Sequence, residues 1–306
     1  MTKNALAIIV LAAGQGTRMK SRLPKVLHPI GGRTLVGHVL ATASQLGAET
    51  VEVVVRHERD QVVAALAAEH PEAVIVDQDD IPGTGRAVQV ALDALPEGFD
   101  GDVLVLSGDV PLLEAETLQA LVDGHRAAAA AATILSAIVD DPTGYGRVIR
   151  DAAGDVARIV EQKDADDAEK ATREINAGVY VFRAGLLRTE LAQVTTDNAQ
   201  GEMYLTTVIG LLRAHNEKVA VEIAADTTAT FGINDRVQLA EAARTLNDRI
   251  VRRWQREGVT IQDPATTWID DDVTLAPDVT VLPNTHILRA RTVASGAVIG
   301  PDTTLV

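Results

Sequence analysis

The chain has 306 residues, a formal net charge of -15 and a pI near 4.8. That balance argues against a nucleic-acid or anionic-membrane surface, where a basic face is expected. The absence of cysteine excludes disulfides, a thiolate nucleophile and cysteine-ligated zinc together. No cationic segment followed by an apolar signal core opens the sequence and no apolar run approaches a membrane span, so a cytoplasmic protein is expected, with one large domain and a smaller one.

Ala5 to Val10 is an apolar run that reads as a strand. It feeds L-A-A-G-Q-G-T-R-M-K-S-R-L-P-K, Leu11 to Lys25, a loop mixing glycines with cations. Gly14 and Gly16 let the backbone approach a ligand with no Cβ in the way. A Walker loop is excluded because G-x-x-x-x-G-K-[ST] is missing, and the dinucleotide fingerprint because Met19 stands where its third glycine belongs. Thr34 to Leu46 is then helical in pattern, with Gly47 as its stop. Val51 to Val55 and Ala73 to Val76 read as strands, and Gln61 to Ala68 and Thr84 to Leu95 as helices. The alternation implies an α/β fold with a parallel sheet, and Asp102 to Leu106, apolar after its first residue, suits the buried centre of that sheet. It runs directly into S-G-D-V-P, at the strand end where open α/β sheets place their ligands.

The alanine run Ala127 to Ala132 reads as a helix end without chemistry, and the acidic run Asp164 to Glu169 as a solvated loop. Gly144 to Val181 is expected to supply strands and turns covering the other side of a pocket. From Asn234 to Glu257 a long helical period ends at Gly258, as a connecting helix would. Beyond it Ile269, Leu275, Val281, Ile287, Val293, Ile299 and Leu305 recur every six residues, and Val273, Val279 and Ala297 echo them two residues earlier. Neither a helix nor an alternating strand gives a period of six; a left-handed parallel β-helix does. The expected division is 1–233, a nucleotide-binding domain; 234–257, a linker helix; and 258–306, about two coils of β-helix.

Lys25 and Arg18 can contact phosphate oxygens, the first as a point charge and the second bidentately. Asp109, behind Gly108 at a strand end, can offer a carboxylate to Mg²⁺, which takes one or two protein oxygens and completes its shell with phosphates and water. Gln78, before the G-T-G turn at Gly83 to Gly85, places an amide with both donor and acceptor near a helix start.

The loop pattern L-x-x-G-x-G-T-x-M-x-S-x-x-P-K strongly resembles the signature of the sugar-1-phosphate nucleotidyltransferases. The motifs Q-x-x-x-x-G-T-G (Gln78 to Gly85), S-G-D-V-P (Ser107 to Pro111), G-Y-G-R (Gly144 to Arg147), I-V-E-Q-K-D (Ile159 to Asp164), I-N-A-G (Ile175 to Gly178), G-E-M-Y-L-T (Gly201 to Thr206) and F-G-I-N (Phe231 to Asn234) sharpen it. Together with the period-six tail they resemble the branch of that family that joins UTP to N-acetylglucosamine-1-phosphate. The resemblance covers essentially the whole chain and implies a Rossmann-like nucleotidyltransferase domain with a mostly parallel sheet. By it Leu11, Ala12, Ala13, Gly14, Gln78, Gly83, Thr84, Ser107 and Gly108 hold the uridine nucleotide. Gly146, Glu161 and Asn176 would hold the sugar, Asp109 and Asn234 would bind Mg²⁺, and Lys25, Arg18 and Asp109 would carry the chemistry. Ser107, Arg86, Ala177 and Asp235 depart from residues common in the family, and Asp235 adds a second carboxylate-bearing candidate beside Asn234.

The reaction so implied makes UDP-N-acetylglucosamine and pyrophosphate. Its rivals are another sugar nucleotidyltransferase making UDP-, dTDP- or ADP-glucose, disfavoured by Gln78, Asn176 and the tail, and a noncatalytic nucleotide-sugar-binding subunit, disfavoured by Lys25 and Asp109. Longer members of the branch also acetylate glucosamine-1-phosphate on an extended β-helix and assemble as trimers. The repeat here stops at Leu305 with no polar cap after it, so a truncated chain without that second activity, monomeric or loosely trimeric, is expected.

Overall fold

The computed structural model describes residues 5–306, and the first four residues of the expected 1–233 domain lie outside it. The chain forms two compact units. The first runs through Gly16, takes in Pro24–Val26 and continues over Val36–Gly232; the second comprises Thr17–Leu23, Leu27–Leu35 and Ile233–Val306. The units therefore do not part at a single point near residue 233, and the cation-bearing loop is itself divided, with Arg18 in the second unit and Lys25 in the first.

At the centre of the first unit lies the strand Leu6–Leu11, paired in parallel on one side with Thr50–Val55 and on the other with Asp102–Ser107. Residues 7–10, 53–55 and 103–106 of these strands are wholly buried, as a parallel sheet covered on both faces requires. The strand order is Val219–Ile223, Ala132–Ile138, Glu174–Arg183, Asp102–Ser107, Leu6–Leu11, Thr50–Val55, Val74–Asp77. The sheet is mostly parallel, and Glu174–Arg183 is the exception, running antiparallel to both of its long neighbours. Segment 144–181 supplies strands and turns as expected, and its last strand is in addition inserted into the body of the sheet. Arg147–Arg150 and Val156–Val160 extend from that strand as a side ribbon. Helix Thr84–Ala94 packs Val88, Ala91 and Leu92 into the same core as Val103, Val105, Tyr180 and Phe182.

The alanine run does hold a helix end, at Ala128, and continues past it: Ala129 takes a left-handed φ of 48°, and Ala132 opens a strand. The acidic run is not just a solvated loop. Asp166 and Glu169 make a capping box on the short helix Asp167–Lys170, while Asp164 accepts hydrogen bonds from the Ala199 N–H (2.9 Å) and the Tyr204 hydroxyl (3.1 Å).

In the second unit, three short parallel sheets stack, and after a first pairing of Thr260 with Thr280 the partners lie 18 residues apart, such as Thr274 with Thr292 and Thr280 with Val298, which is the register of a triangular parallel β-helix. The period-six side chains Ile269, Leu275, Val281, Ile287 and Ile299 fill its core. The helix Arg236–Arg256 does more than connect: it contributes Ile250, Val251 and Trp254 to that core. Its buried Asn247 donates to the Thr267 carbonyl (2.8 Å) and accepts from the Ile269 N–H (3.1 Å), satisfying backbone groups at the first coil. Asp235 caps this helix by accepting from the N–H groups of Val237 and Gln238, both at 2.9 Å, so that carboxylate oxygen is already engaged. Arg236 donates to the Met19 carbonyl (3.2 Å), and Gly31 accepts from the Asp271 N–H (2.8 Å), which accounts for the grouping of the two early segments with this unit. Among the described residues no helix is long and apolar enough to cross a membrane.

One carboxylate sits inside the main sheet. Glu52, in register between Ile9 and Val74, is 1% exposed, and its Oε2 has no hydrogen-bond partner among the described residues. Burial pushes its carboxyl up to about 7. The folded state therefore holds a proton that the unfolded chain releases above its ordinary value of 4.5, so this stability is full below that value and is lost as pH rises through 7. At about 1.4 kcal/mol per pH unit the loss is on the order of 3 kcal/mol. Glu52→Leu should raise the thermal midpoint at pH 8 by several degrees and change it little at pH 4.5; equal shifts at both pH values, followed by calorimetry, would show that Glu52 does not titrate in this range.

Candidate active site

Because Leu11 stands opposite both Val54 and Ser107, three parallel strands end level, and the loops that leave them share one rim. A cleft of about 460 Å³ opens there. Its lining includes Leu11, Ala13, Gly14, Gln15, Lys25, Gln78, Gly83, Thr84, Ser107, Asp109 and Glu202, all from the first unit. Most of the residues expected to hold a nucleotide are thus brought together. Ala12 and Gly108 stand behind the wall: Ala12 is buried and donates to the Val54 carbonyl (2.9 Å), and Gly108 donates to the Leu11 carbonyl (2.9 Å).

The glycines of the loop have separate reasons. A Cβ on Gly14 would meet nothing within 4 Å, so its bare backbone faces open space that a ligand can approach. Gly16 has a φ of +62°, and a Cβ there would lie 2.6 Å from the Lys25 Cβ. It is the absence of that carbon that lets Lys25 fold back against the loop.

Lys25 and Asp109, 84 residues apart, form a close ion pair at the cleft wall, with side chains 13% and 17% exposed. The ammonium meets Oδ2, while the carboxylate also lies against Gly232, whose hypothetical Cβ would be 3.6 Å from Oδ1. The cleft lining holds two carboxylates, Asp109 and Glu202, and among the described residues there is no metal-binding cluster of three or more His, Asp or Glu side chains; Asp109 fits a hard divalent ion that takes few protein oxygens and draws the rest from phosphates and water. Arg18 and Asn234 belong to the second unit; the Asn234 N–H donates to Gln238 Oε1 (2.8 Å) in the turn before the helix Arg236–Arg256.

Gln78 differs from the expectation of an amide free to donate and accept. Both of its N–H groups are engaged, donating to the carbonyls of Ile81 (2.9 Å) and Gly83 (3.1 Å). Two carbonyl partners fix which end of the amide is nitrogen, so Oε1 alone remains as an acceptor. Gly83 is required by the chain as well as by a ligand: at φ +118° its Cβ would sit 2.3 Å from the Met203 carbonyl oxygen. Thr84 in turn accepts at Oγ1 from the Leu205 N–H (3.1 Å), so G-E-M-Y-L-T clamps the G-T-G turn.

The three residues expected to hold a sugar also meet. Gly146 accepts at its carbonyl from the Asn176 N–H (2.9 Å), and a Cβ on Gly146 would lie 3.5 Å from Glu161 Oε2. Glu161 accepts from the Thr206 hydroxyl (2.9 Å), and burial holds its carboxyl above the usual range against that hydrogen bond. Asn176 donates to the Tyr180 hydroxyl (2.6 Å) and accepts from the Gly178 N–H (3.1 Å). Burial raises Tyr180 and pushes Tyr204 up to about 12, so both remain neutral hydrogen-bonding groups. The Gly178 turn abuts the same cleft, since its hypothetical Cβ would lie 3.3 Å from the Ser107 hydroxyl.

Sequence reasoning missed the anchor of this cluster. Arg147 is 1% exposed, donates to the Tyr145 carbonyl and to Gln162 Oε1 (2.8 Å), and so ties G-Y-G-R to I-V-E-Q-K-D. Desolvation lowers its pKa. The signal was present in the G-Y-G-R motif, but an arginine after glycine reads as a surface cation until a strand buries it.

Residues 8–199 match the MobA-like NTP transferase domain. The chain belongs to this family. Among curated relatives, Bifunctional protein GlmU of Clavibacter sepedonicus is 59% identical over 98% of this chain and 61% of its own length, and that of Leifsonia xyli subsp. xyli is 60% identical over 97% and 61%. The chain thus spans about three fifths of the curated relatives it matches. In fold it is similar to a solved Bacillus anthracis protein described as a glucose-1-phosphate thymidylyltransferase candidate, with a TM-score of 0.63 and 18% identity over 79% of this chain and 95% of that one. The family match starts inside the strand Leu6–Leu11 and takes in the whole wall that carries Lys25, Gln78 and Asp109.

Breaking the ion pair from one side strands a poorly exposed charge. Lys25→Ala should therefore destabilise the protein by about 1–2 kcal/mol, and adding Asp109→Asn should recover most of that loss. Calorimetry on the two single variants and the double variant checks it; strictly additive losses would mean the two side chains do not interact.

Proposed function

We propose that this cleft transfers a uridylyl group from UTP to N-acetylglucosamine-1-phosphate, giving UDP-N-acetylglucosamine and pyrophosphate with Mg²⁺ as the cation. The observation that carries the reading is the meeting of three features in one unit. They are a bare glycine backbone beside a Lys25–Asp109 pair, a Gln78 amide whose Oε1 remains as an acceptor, and a carboxylate–amide cluster next to Ser107.

The sugar phosphate attacks through an anionic phosphate oxygen. A P–O bond forms to the α-phosphorus of UTP and the bond to the β-phosphate oxygen breaks, so no protein base is required. The chain's work is positioning and charge neutralisation. Gly14 offers backbone to the nucleotide, and Lys25 supplies the ammonium for phosphate oxygens. Gln78 Oε1 accepts the N3–H of uracil. Glu161 accepts from sugar hydroxyls, and Asn176 has capacity left for the sugar's polar groups. Asp109 would hold Mg²⁺; when bound, the ion neutralises phosphate charge. A nucleoside triphosphate substrate supports the reading of a cytoplasmic reaction.

Pyrophosphate release measured with UTP and N-acetylglucosamine-1-phosphate, against dTTP and glucose-1-phosphate, tests the reading; equal turnover of the alternative pair would overturn it. Asp109→Asn should raise the Mg²⁺ concentration needed for half-maximal rate by about tenfold or more, because it keeps the shape and removes the charge, and an unmoved Mg²⁺ titration would dismiss Asp109 as ligand.

Gln78 yields a separate prediction. An acceptor-only reader distinguishes uracil, with its N3–H, from cytosine, whose N3 is a lone pair, but it does not distinguish uracil from thymine. Gln78→Ala should shrink the UTP-over-CTP preference in kcat/KM roughly tenfold and leave UTP over dTTP unchanged. A variant that ranks UTP and CTP as the parent does would refute the contact.

A further inference from the structure

Three neighbouring aspartates around the loop that carries Gln78 each meet an arginine. Asp77 meets Arg59 at 2.6 Å, Asp80 meets Arg56 at 3.8 Å, and Asp79 meets Arg86 at 2.5 Å. Arg56 also donates to the Asp80 carbonyl (3.1 Å) and so holds the loop backbone, while the last pair reaches the Gln78 amide itself through a chain of hydrogen bonds. Arg86, in the first turn of the helix Thr84–Ala94, donates through Nε to both Asp79 oxygens (3.1 and 3.0 Å) and through Nη2 to Oδ2 (2.5 Å). Its Nη1 donates to Gln89 Oε1 (2.6 Å), which steadies the fork from the next turn. Asp79 Oδ1 also accepts from the Ile81 N–H (3.1 Å), and the Ile81 carbonyl accepts from Gln78 Nε2 (2.9 Å). The chain of contacts runs Arg86, Asp79, Ile81, Gln78. The guanidinium also holds the Asp79 carboxyl below the usual carboxylate range, keeping it charged and able to accept both sets of donors.

A primary amide on a mobile loop presents nitrogen or oxygen to a base with similar ease, so it pairs with uracil N3–H in one orientation and cytosine N3 in the other. Selection requires that one orientation be removed. We propose that Arg86 is the positioning residue that does this: by fixing the Asp79 carboxylate it locks the 78–83 loop so that both Gln78 N–H groups are consumed internally and only Oε1 faces the base. The inference rests on the reading of Gln78 as the base contact. An exposed ion pair ordinarily contributes little to stability; here its effect is on the orientation of one amide, which is read in specificity instead of folding.

The test is the ratio of kcat/KM for UTP over CTP, with N-acetylglucosamine-1-phosphate and Mg²⁺ held constant, for the parent, Arg86→Gln, Arg86→Lys and Gln78→Ala. Arg86→Gln should lower the ratio about five- to tenfold through KM, with kcat for UTP within about twofold and an unchanged thermal midpoint. Arg86→Lys, which keeps the charge but not the fork, should recover part of the ratio. Raising salt from about 0.05 to about 0.5 M should lower the parent's ratio and leave that of Arg86→Gln flat; UTP and CTP carry the same phosphates, so screening of the phosphates cancels. If Arg86→Gln keeps the parent's ratio and salt response while Gln78→Ala loses the preference, Arg86 has no positioning role and the base reading stands. If Gln78→Ala keeps the preference too, the base reading falls and the inference with it. Should Arg86→Gln lower the thermal midpoint substantially, Asp79→Asn, which retains an oxygen for the Ile81 N–H, replaces it: the same fall in ratio supports the proposal and an unchanged ratio overturns it.

Discussion

The structure depends on one constraint, the placement of a wholly apolar strand, Leu6–Leu11, between two parallel neighbours that end level with it. Parallel pairing of strands far apart in sequence needs long crossovers, so each strand's carboxyl end delivers a different loop to the same rim. The register of Leu11 with Ser107 sets Gly14 and Asp109 around one opening, and the step from Val55 to Asp77 in the next pair adds Gln78. A one-residue slip would turn alternate side chains to the other face of the sheet.

The antiparallel strand Glu174–Arg183 supplies a second constraint. By lying between Asp102–Ser107 and Ala132–Ile138 it carries Asn176 and the Gly178 turn to the edge of the same opening. The irregular register between Asn176 and Val179 bends the strand where the polar cluster forms. Arg147 and Thr206 then hold Gly146 and Glu161 from adjoining segments. A half-buried carboxylate beside an amide is a recognition surface for hydroxyl-rich ligands, and its cost is offset by hydrogen bonds that satisfy most of its atoms.

Charge is distributed with the same economy. The protein is strongly acidic overall, yet the cleft carries Lys25 paired to Asp109, and the arginines around the Gln78 loop are each matched to an aspartate. Pairing keeps these cations in fixed positions, and the electrostatic contribution to a reaction depends on charge placed where it develops.

Much of this was legible in the sequence, for physical reasons specific to each element. Period-six aliphatics such as Leu275 and Val281 admit few backbones, and the glycine–cation loop after an apolar strand has few uses, so the β-helix and the position of the cleft followed from local pattern alone. What local pattern lacks is partnership at long range. That Gln78 would spend both N–H groups on Ile81 and Gly83, that Lys25 would close on Asp109 across 84 residues, that Asp235 would cap a helix, that Arg147 would be buried, and that the linker helix would form part of the β-helix core are outcomes of packing. The side chain's identity sets what it can donate or accept; only the tertiary structure decides which of those capacities the protein itself consumes and which it leaves for a substrate, because burial and competing partners are properties of the folded neighbourhood and are absent from the residue.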